Sequence, residues 1–358
     1  MAAFPSDAID AAVAERDAAA FLHAGRTDEP TLRYCAGPLP NGEAAVVYAD
    51  GRAMLCVPPE LAAATGPNVR SSDAPVGKQA VAVLDELGVE GTVLTPPNVP
   101  HDAALYAKKA GYDLASTDAV ERARAVKSAA ERDRIADAGA AAVAGVERAR
   151  EALREANIAD GTLRRGSEPL TARSLREAVD AAVSASGASP ANDTRITVGA
   201  GERASDTPIS AGETVVVRVA PREPGGYRAP LARTFVVDGE GGWERRAQLA
   251  VERAMDSALR ELEAGMPAST IREEVMIECG AYGFADDALP ETAGHGVGLA
   301  VRERPDLRGG DPLSAGTVLA ITPSVTDPGG GEVALTDLVV VTADGYESIG
   351  STERSLRP

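Results

Sequence analysis

The sequence predicts a two-domain protein of mixed α/β (α+β) class, with a small α/β domain over residues 1–120 and a larger domain over 121–358. Two observations predict it. In the first third, short apolar runs alternate with helical periodicity, the pattern of a sheet layered with helices. Beyond residue 120 the order becomes helix pair, strands, helix pair, strands, so the second domain reads as internally duplicated. A chain of 358 residues can fill both cores, and 44% hydrophobic content marks it as globular.

Each element follows in order. A helix over about 6–20 leads into Ala19-Ala-Phe-Leu-His-Ala-Gly, a strand candidate. Residues 43–57 read as two strands joined by Asp50-Gly51, a hairpin signal because glycine tolerates positive φ. A helix around 75–87 feeds the short strand Gly91-Thr-Val-Leu-Thr, and a helix near 101–111 precedes another extended piece. Ser128 with Glu131 forms a capping box, so a long helix starts at 128 and runs to about 156. A polar, glycine-containing connection precedes a helix over about 171–187. Strands follow at Thr194-Arg-Ile-Thr-Val, Thr214-Val-Val-Val-Arg-Val and Ala232-Arg-Thr-Phe-Val-Val. Between 244 and 264, Val251, Met255, Ala258, Leu259 and Leu262 share one helical face, and Gly265 with Pro267 ends it. Thr270 and Glu273 are expected to cap the next helix, which ends near Gly280. The last strands are the His295 segment, a run from Gly316 and a single run from Glu332, with turns at 305–316 and 326–331.

The charge balance narrows the function classes. There are 54 acidic and 36 basic residues, a net charge of −18, and the only lysines are Lys78, Lys108, Lys109 and Lys127. Acidic excess with Arg in place of Lys reads as a protein built for a high-salt cytoplasm, where self-repulsion is screened within a few ångströms. An acidic protein of ordinary salt is the other reading. Nucleic acid is not an expected partner, because phosphate binding needs a basic face. Cys35, Cys56 and Cys279 are too widely spaced for a disulfide framework or a zinc pattern and read as core thiols. The opening residues lack a signal-peptide pattern and no apolar run reaches membrane-span length, so a soluble cytoplasmic protein is expected.

More specific are four landmarks in sequence order. Arg124-Ala-Val-Lys-Ser-Ala-Ala-Glu has the form R-x-x-K-S-x-x-E. Ala211-Gly-Glu-Thr-Val-Val-Val with Ala232-Arg-Thr-Phe tracks a G-D-x-V-x-x-D strand and a D-x-T-R-T-F strand. Gly294-His-Gly-Val-Gly-Leu matches G-H-G-I-G-L. Ala315-Gly-Thr-Val-Leu-Ala-Ile-Thr-Pro and Leu335-Thr-Asp-Leu-Val-Val-Val-Thr match two closing strands. Together they resemble the pita-bread metallopeptidases: aminopeptidase P, prolidase and methionine aminopeptidase, with creatinase as a metal-free relative. Residues 19–120 resemble the amino-terminal domain of the aminopeptidase P branch, with Thr31-Leu-Arg-Tyr-Cys-Ala-Gly at its signature.

The resemblance implies a homodimer and two divalent ions (Mn, Co or Zn) that share a water, which becomes a hydroxide nucleophile near neutral pH. It implies five ligands: two Asp, one His and two Glu. Residue by residue, those positions hold Arg218, Pro230, His295, Thr322 and Thr336, so only the His is kept. Arg302-Glu303-Arg304-Pro305 replaces an H-E-x-P motif, and Ser205-Asp206-Thr207-Pro208 occupies the region of an upstream His. These losses also remove the residues that creatinase chemistry leans on. No metal or other cofactor is therefore expected.

The resulting candidate ligand-binding residues are Arg218, His295, Arg302, Glu303, Thr322, Thr336 and Asp337, with His295 as a remnant of the catalytic set. Arg218 reads either as an anion site or as the internal partner of a carboxylate such as Asp337 or Glu303. His295 reads as a retained hydrogen-bonding group or as a packed remnant between glycines. Arg302 and Arg304 are expected on one strand face. Arg233 reads as a structural ion-pair partner, and Cys279 as core. The first functional reading is a non-catalytic homologue that binds a peptide or small anion in the former cleft. The alternative is an active Xaa-Pro aminopeptidase or dipeptidase with an atypical site, for which Asp206, Glu303, Asp311, Asp327 and Asp337 are spare carboxylates.

Overall fold

A computed structural model describes residues 4–63, 68–200 and 205–358. The chain divides into two compact units, Met1–Arg124 and Ala125–Pro358. The divide falls inside a short helix, a few residues after the expected boundary at 120.

The first unit runs α1 (Ser6–Glu15), β1 (Ala20–Arg26), α2 (Pro30–Ala36), β2 (Glu43–Ala49), β3 (Arg52–Val57), α3 (Pro59–Ala62), β4 (Val69–Ser71), α4 (Val76–Glu86), β5 (Thr92–Thr95), α5 (His101–Lys109), β6 (Asp113–Ser116) and α6 (Ala119–Ala125). Its six strands form one mixed sheet in the order β4-β3-β2-β1-β5-β6. The β2–β3 hairpin turns at Asp50 and Gly51, with φ of 49° and 73°, as the sequence predicts. Successive residues point to opposite faces of a strand, and both faces are apolar here. Leu22, Val47 and Val93 pack with Ala80 and Leu84 of α4 on one side. Phe21, Tyr48 and Leu94 pack with Ile9 and Val120 on the other.

The second unit opens with α7 (Ala129–Arg154), β7 (Asn157–Ala159), β8 (Thr162–Arg165), β9 (Glu168–Pro169) and α8 (Ala172–Ala185). It continues with β10 (Arg195–Val198), β11 (Thr214–Val219), β12 (Leu231–Val236), α9 (Trp243–Arg260) and α10 (Ser269–Ala281). Last come β13 (Gly294–Gly296), β14 (Glu303–Asp306), β15 (Val318–Ile321), β16 (Ser324–Asp327), β17 (Gly331–Ala334), β18 (Asp337–Thr342) and β19 (Gly345–Ile349). The duplicated pattern is real. Leu175 and Val179 of α8 and Val146 of α7 bury against Val215, Val217 and Phe235 of the β10-β11-β12 sheet. Val251 and Met255 of α9 and Ile271 and Val275 of α10 bury against Leu319, Ile321 and Val339 of the β14-β13-β15-β18-β19 sheet.

Three expectations need correction. The connection after α7, expected only as a polar, glycine-containing link, is a small sheet, β7-β8-β9. Helix α10 starts at Ser269 with no side-chain cap, so Thr270 and Glu273 already lie inside it. The run from Glu332 is not one strand: β17 ends at Ala334, β18 begins at Asp337, and Leu335 and Thr336 carry the chain between two sheets. No helix among the described residues is long and apolar enough to cross a membrane.

Candidate functional site

The second unit holds a cavity of about 410 Å³ whose wall includes Arg218, Pro230, His295, Thr322 and Thr336. All five positions singled out by sequence therefore converge. Arg218 lies on β11, opposite Ala232 of β12 on one side and Arg195 of β10 on the other. Pro230 immediately precedes β12, Thr322 immediately follows β15, and Thr336 immediately precedes β18.

His295 is the middle residue of β13 and sits opposite Ala320 of β15. Its glycine neighbours are required by backbone approach. A Cβ at Gly294 would fall 2.2 Å from the Ala320 carbonyl oxygen, and one at Gly296 would fall 1.9 Å from that of Arg304. The imidazole Nδ1 lies 3.1 Å from the Gly296 carbonyl oxygen, so Nδ1 carries the proton as donor and Nε2 is left as the acceptor in the neutral ring. Burial pushes the imidazole below its ordinary range; the Gly296 carbonyl opposes this and the charge of Arg302 adds to it. His295 is thus half-buried and hydrogen-bonded, and its burial favours the neutral ring.

Around it two of the arginines are paired within the protein. Arg218 forms an ion pair with Glu332 of β17. That is the internal pairing allowed by the sequence reading, but with a different partner. The Thr336 hydroxyl donates to the Thr322 hydroxyl at 3.2 Å, so the two positions where the resemblance implies glutamates satisfy each other without charge. Asp193, also in the wall, pairs with Arg228. Arg302 is in the wall too, although it precedes β14 and does not share a strand face with Arg304.

Two expected site residues stand outside this group. Glu303 forms a buried ion pair with Lys127 at 3.3 Å, their side chains 5% and 1% exposed, and it accepts the Ala300 N–H at 2.8 Å. Lys127 belongs to the R-x-x-K-S opening, so two separate sequence landmarks turn out to be one contact. Asp337 accepts from Arg233 at 2.7 Å and from Nε of Arg354 at 2.9 Å. It braces the strand beside Thr336 and does not face the cavity wall. Asp206 pairs with Arg173 at 2.6 Å on the exposed surface. Cys279 is buried, and burial first, then Glu278, push its thiol up to about 11, as a core residue requires. Arg195 and Glu332 are the site residues that sequence reading missed, and the bracing role of Lys127 was not visible within its motif; strand register places Arg195 beside Arg218.

The donor set does not suit a pair of divalent ions. It offers one imidazole, two mutually bonded hydroxyls, a proline, and a guanidinium that does not deprotonate. To recruit Glu332, an ion would have to displace the guanidinium already paired with it. Among the described residues, no three His, Cys, Asp or Glu side chains are grouped to hold a metal ion.

Comparison with known proteins agrees with this architecture. Residues 133–343 match the model of metallopeptidase family M24. An Xaa-Pro dipeptidase from Pyrococcus furiosus is 32% identical over 158 residues, which are 43% of this chain and 44% of that relative. The match thus spans less than half of the relative's length. Among solved structures, the prolidase of Pyrococcus horikoshii OT3 superposes with a TM-score of 0.85 at 23% identity, covering 98% of this chain and 99% of that one. An Xaa-Pro dipeptidase from Bacillus anthracis gives 0.87 at 19% identity, covering 99% and 98%. With the family model spanning more than half of its length, the chain belongs to metallopeptidase family M24.

Proposed function

We propose that this chain is a non-catalytic member of the family, one that keeps the cleft of an Xaa-Pro dipeptidase as a binding site for a peptide or small anion. The observation that carries this reading is the Arg218–Glu332 ion pair at a position where the family resemblance implies a metal-binding aspartate. At an effective dielectric constant near 20, a guanidinium about 4 Å from a dication costs on the order of 8 kcal/mol. One imidazole and neutral hydroxyls do not offset that. Conversely, four carboxylates left without ions would be costly in a half-buried cavity. Their replacement by threonine, proline and arginine removes that cost together with the metals.

The test is calorimetric titration of the protein with Mn²⁺ in molar KCl, paired with an assay for free proline from Gly-Pro. We expect no site-specific Mn²⁺ binding and no proline release. Tight binding of two equivalents, with chelator-sensitive hydrolysis, would establish an active Xaa-Pro dipeptidase and overturn the proposal.

A further inference from the structure

The cavity contains more positive charge than its own carboxylates neutralise. Arg218 is matched by Glu332, and Asp193 by Arg228. Arg195 and Arg302 also line the wall, and among the described residues neither has a carboxylate partner. This surplus occurs in a chain whose net charge is −18, where acidic partners are abundant.

Register shows why Arg195 belongs to the site. It is the direct cross-strand neighbour of Arg218 in the antiparallel β10–β11 pair, and such neighbours leave the same face of a sheet. Like charges placed opposite each other are unfavourable unless an anion lies between or beside them. Glu332 serves Arg218; nothing serves Arg195. Arg302 enters the same wall from the segment just before β14. The wall also carries Pro230, Pro290 and Val301, apolar surface that would accept a small side chain beside a charged head. A cavity of about 410 Å³ lies in the size range of small-molecule sites.

We infer that Arg195 and Arg302 form an oxyanion seat in this cavity, which receives the carboxylate of a short peptide or a chemically equivalent phosphate. Their planar forks match either group with paired N–H donors. Arg218 is not the primary anchor, because its fork is already occupied by Glu332. The inference rests on the reading that the cleft is kept for binding, and it names what the cleft would hold.

Gly-Pro, its carboxamide and inorganic phosphate are titrated calorimetrically into the full chain, into Arg195→Gln and Arg302→Gln, and into Arg176→Gln on the exposed side of α8 as a charge-matched control. Melting curves confirm that each variant is folded. The expected result is that Gly-Pro binds and its carboxamide binds about tenfold or more weakly. Each cavity variant then loses about tenfold or more in affinity, and the control loses none. Phosphate binding with the same dependence on Arg195 and Arg302 would keep the seat and assign it to phosphate. Wild-type affinity in both cavity variants, or binding of neither anion to the wild type, would overturn the inference. Release of free proline during the titration would instead overturn the non-catalytic reading, and the phosphate arm would still judge the seat.

Discussion

Arg233 is only 1% exposed, yet every N–H of its guanidinium has an acceptor. Nη1 donates to the carbonyls of Ala232 and Thr336, both at 2.8 Å. Nη2 donates to Asp337 at 2.7 Å and to the Thr352 carbonyl at 2.9 Å, and Nε to the Glu353 carbonyl at 3.2 Å. Burial first, then the charges of Arg354 and Arg150, pull its pKa down, and the Asp337 carboxylate opposes the shift. A buried cation so fully satisfied is a structural clamp that holds Thr336 and the carboxy-terminal segment against β12. Arg233→Met strands four carbonyls and half of Asp337's pairing, so chemical denaturation should show a loss of about 3–5 kcal/mol. A loss below about 1 kcal/mol would mean the clamp is redundant. At this scale the sequence was partly legible. The positions where the resemblance implies ligands sit beside recognisable motifs, so Arg218, Pro230, Thr322 and Thr336 could be placed in one cavity without a structure. Glu332 and Arg195 could not, because their relation to Arg218 depends on cross-strand register and on a hairpin that folds back over the sheet.

Helix α7 is the element most completely specified by local chemistry. Its N-cap Ser128 accepts the Glu131 N–H at 3.4 Å, and the Glu131 carboxylate accepts the Ser128 N–H at 2.9 Å. The same carboxylate group also accepts the Tyr227 hydroxyl at 3.0 Å, which ties the first turn to the loop before β12. Ser128→Ala should lower stability by about 1 kcal/mol in a urea titration; Glu131→Ala should cost more, since it also removes the carboxylate that accepts the Tyr227 hydroxyl. Equal losses in the two variants would show that the Tyr227 contact contributes little. Elements with such strong signals were legible in the sequence. The β7-β8-β9 sheet was not, because its strands have only two to four residues and no sustained alternation. Helix α10 misled in another way: Thr270 and Glu273 have capping-box spacing, but the chain enters helical geometry at Ser269, following Ala268 already in the αR region.

For the molecule as a whole, the charge of −18 sets solution behaviour more than fold. If the acidic excess is an adaptation to salt, raising KCl from millimolar to molar concentration should raise the melting temperature by several degrees, as screening shortens repulsion to about 3 Å. A melting temperature that stays level or falls would identify an acidic protein of ordinary salt. At the same scale, the Arg218–Glu332 pair bears on how this cavity can evolve. Arg218→Asp alone would set a carboxylate against Glu332 and lose their attraction, while Pro230, Thr322 and Thr336 still offered no metal-binding charge. Each change back toward the family's ligand set costs stability before the others are in place to compensate, so the steps are strongly non-additive. On the proposed non-catalytic reading, the cavity could change its ligand one residue at a time, whereas a two-ion site would need several of these positions to change together.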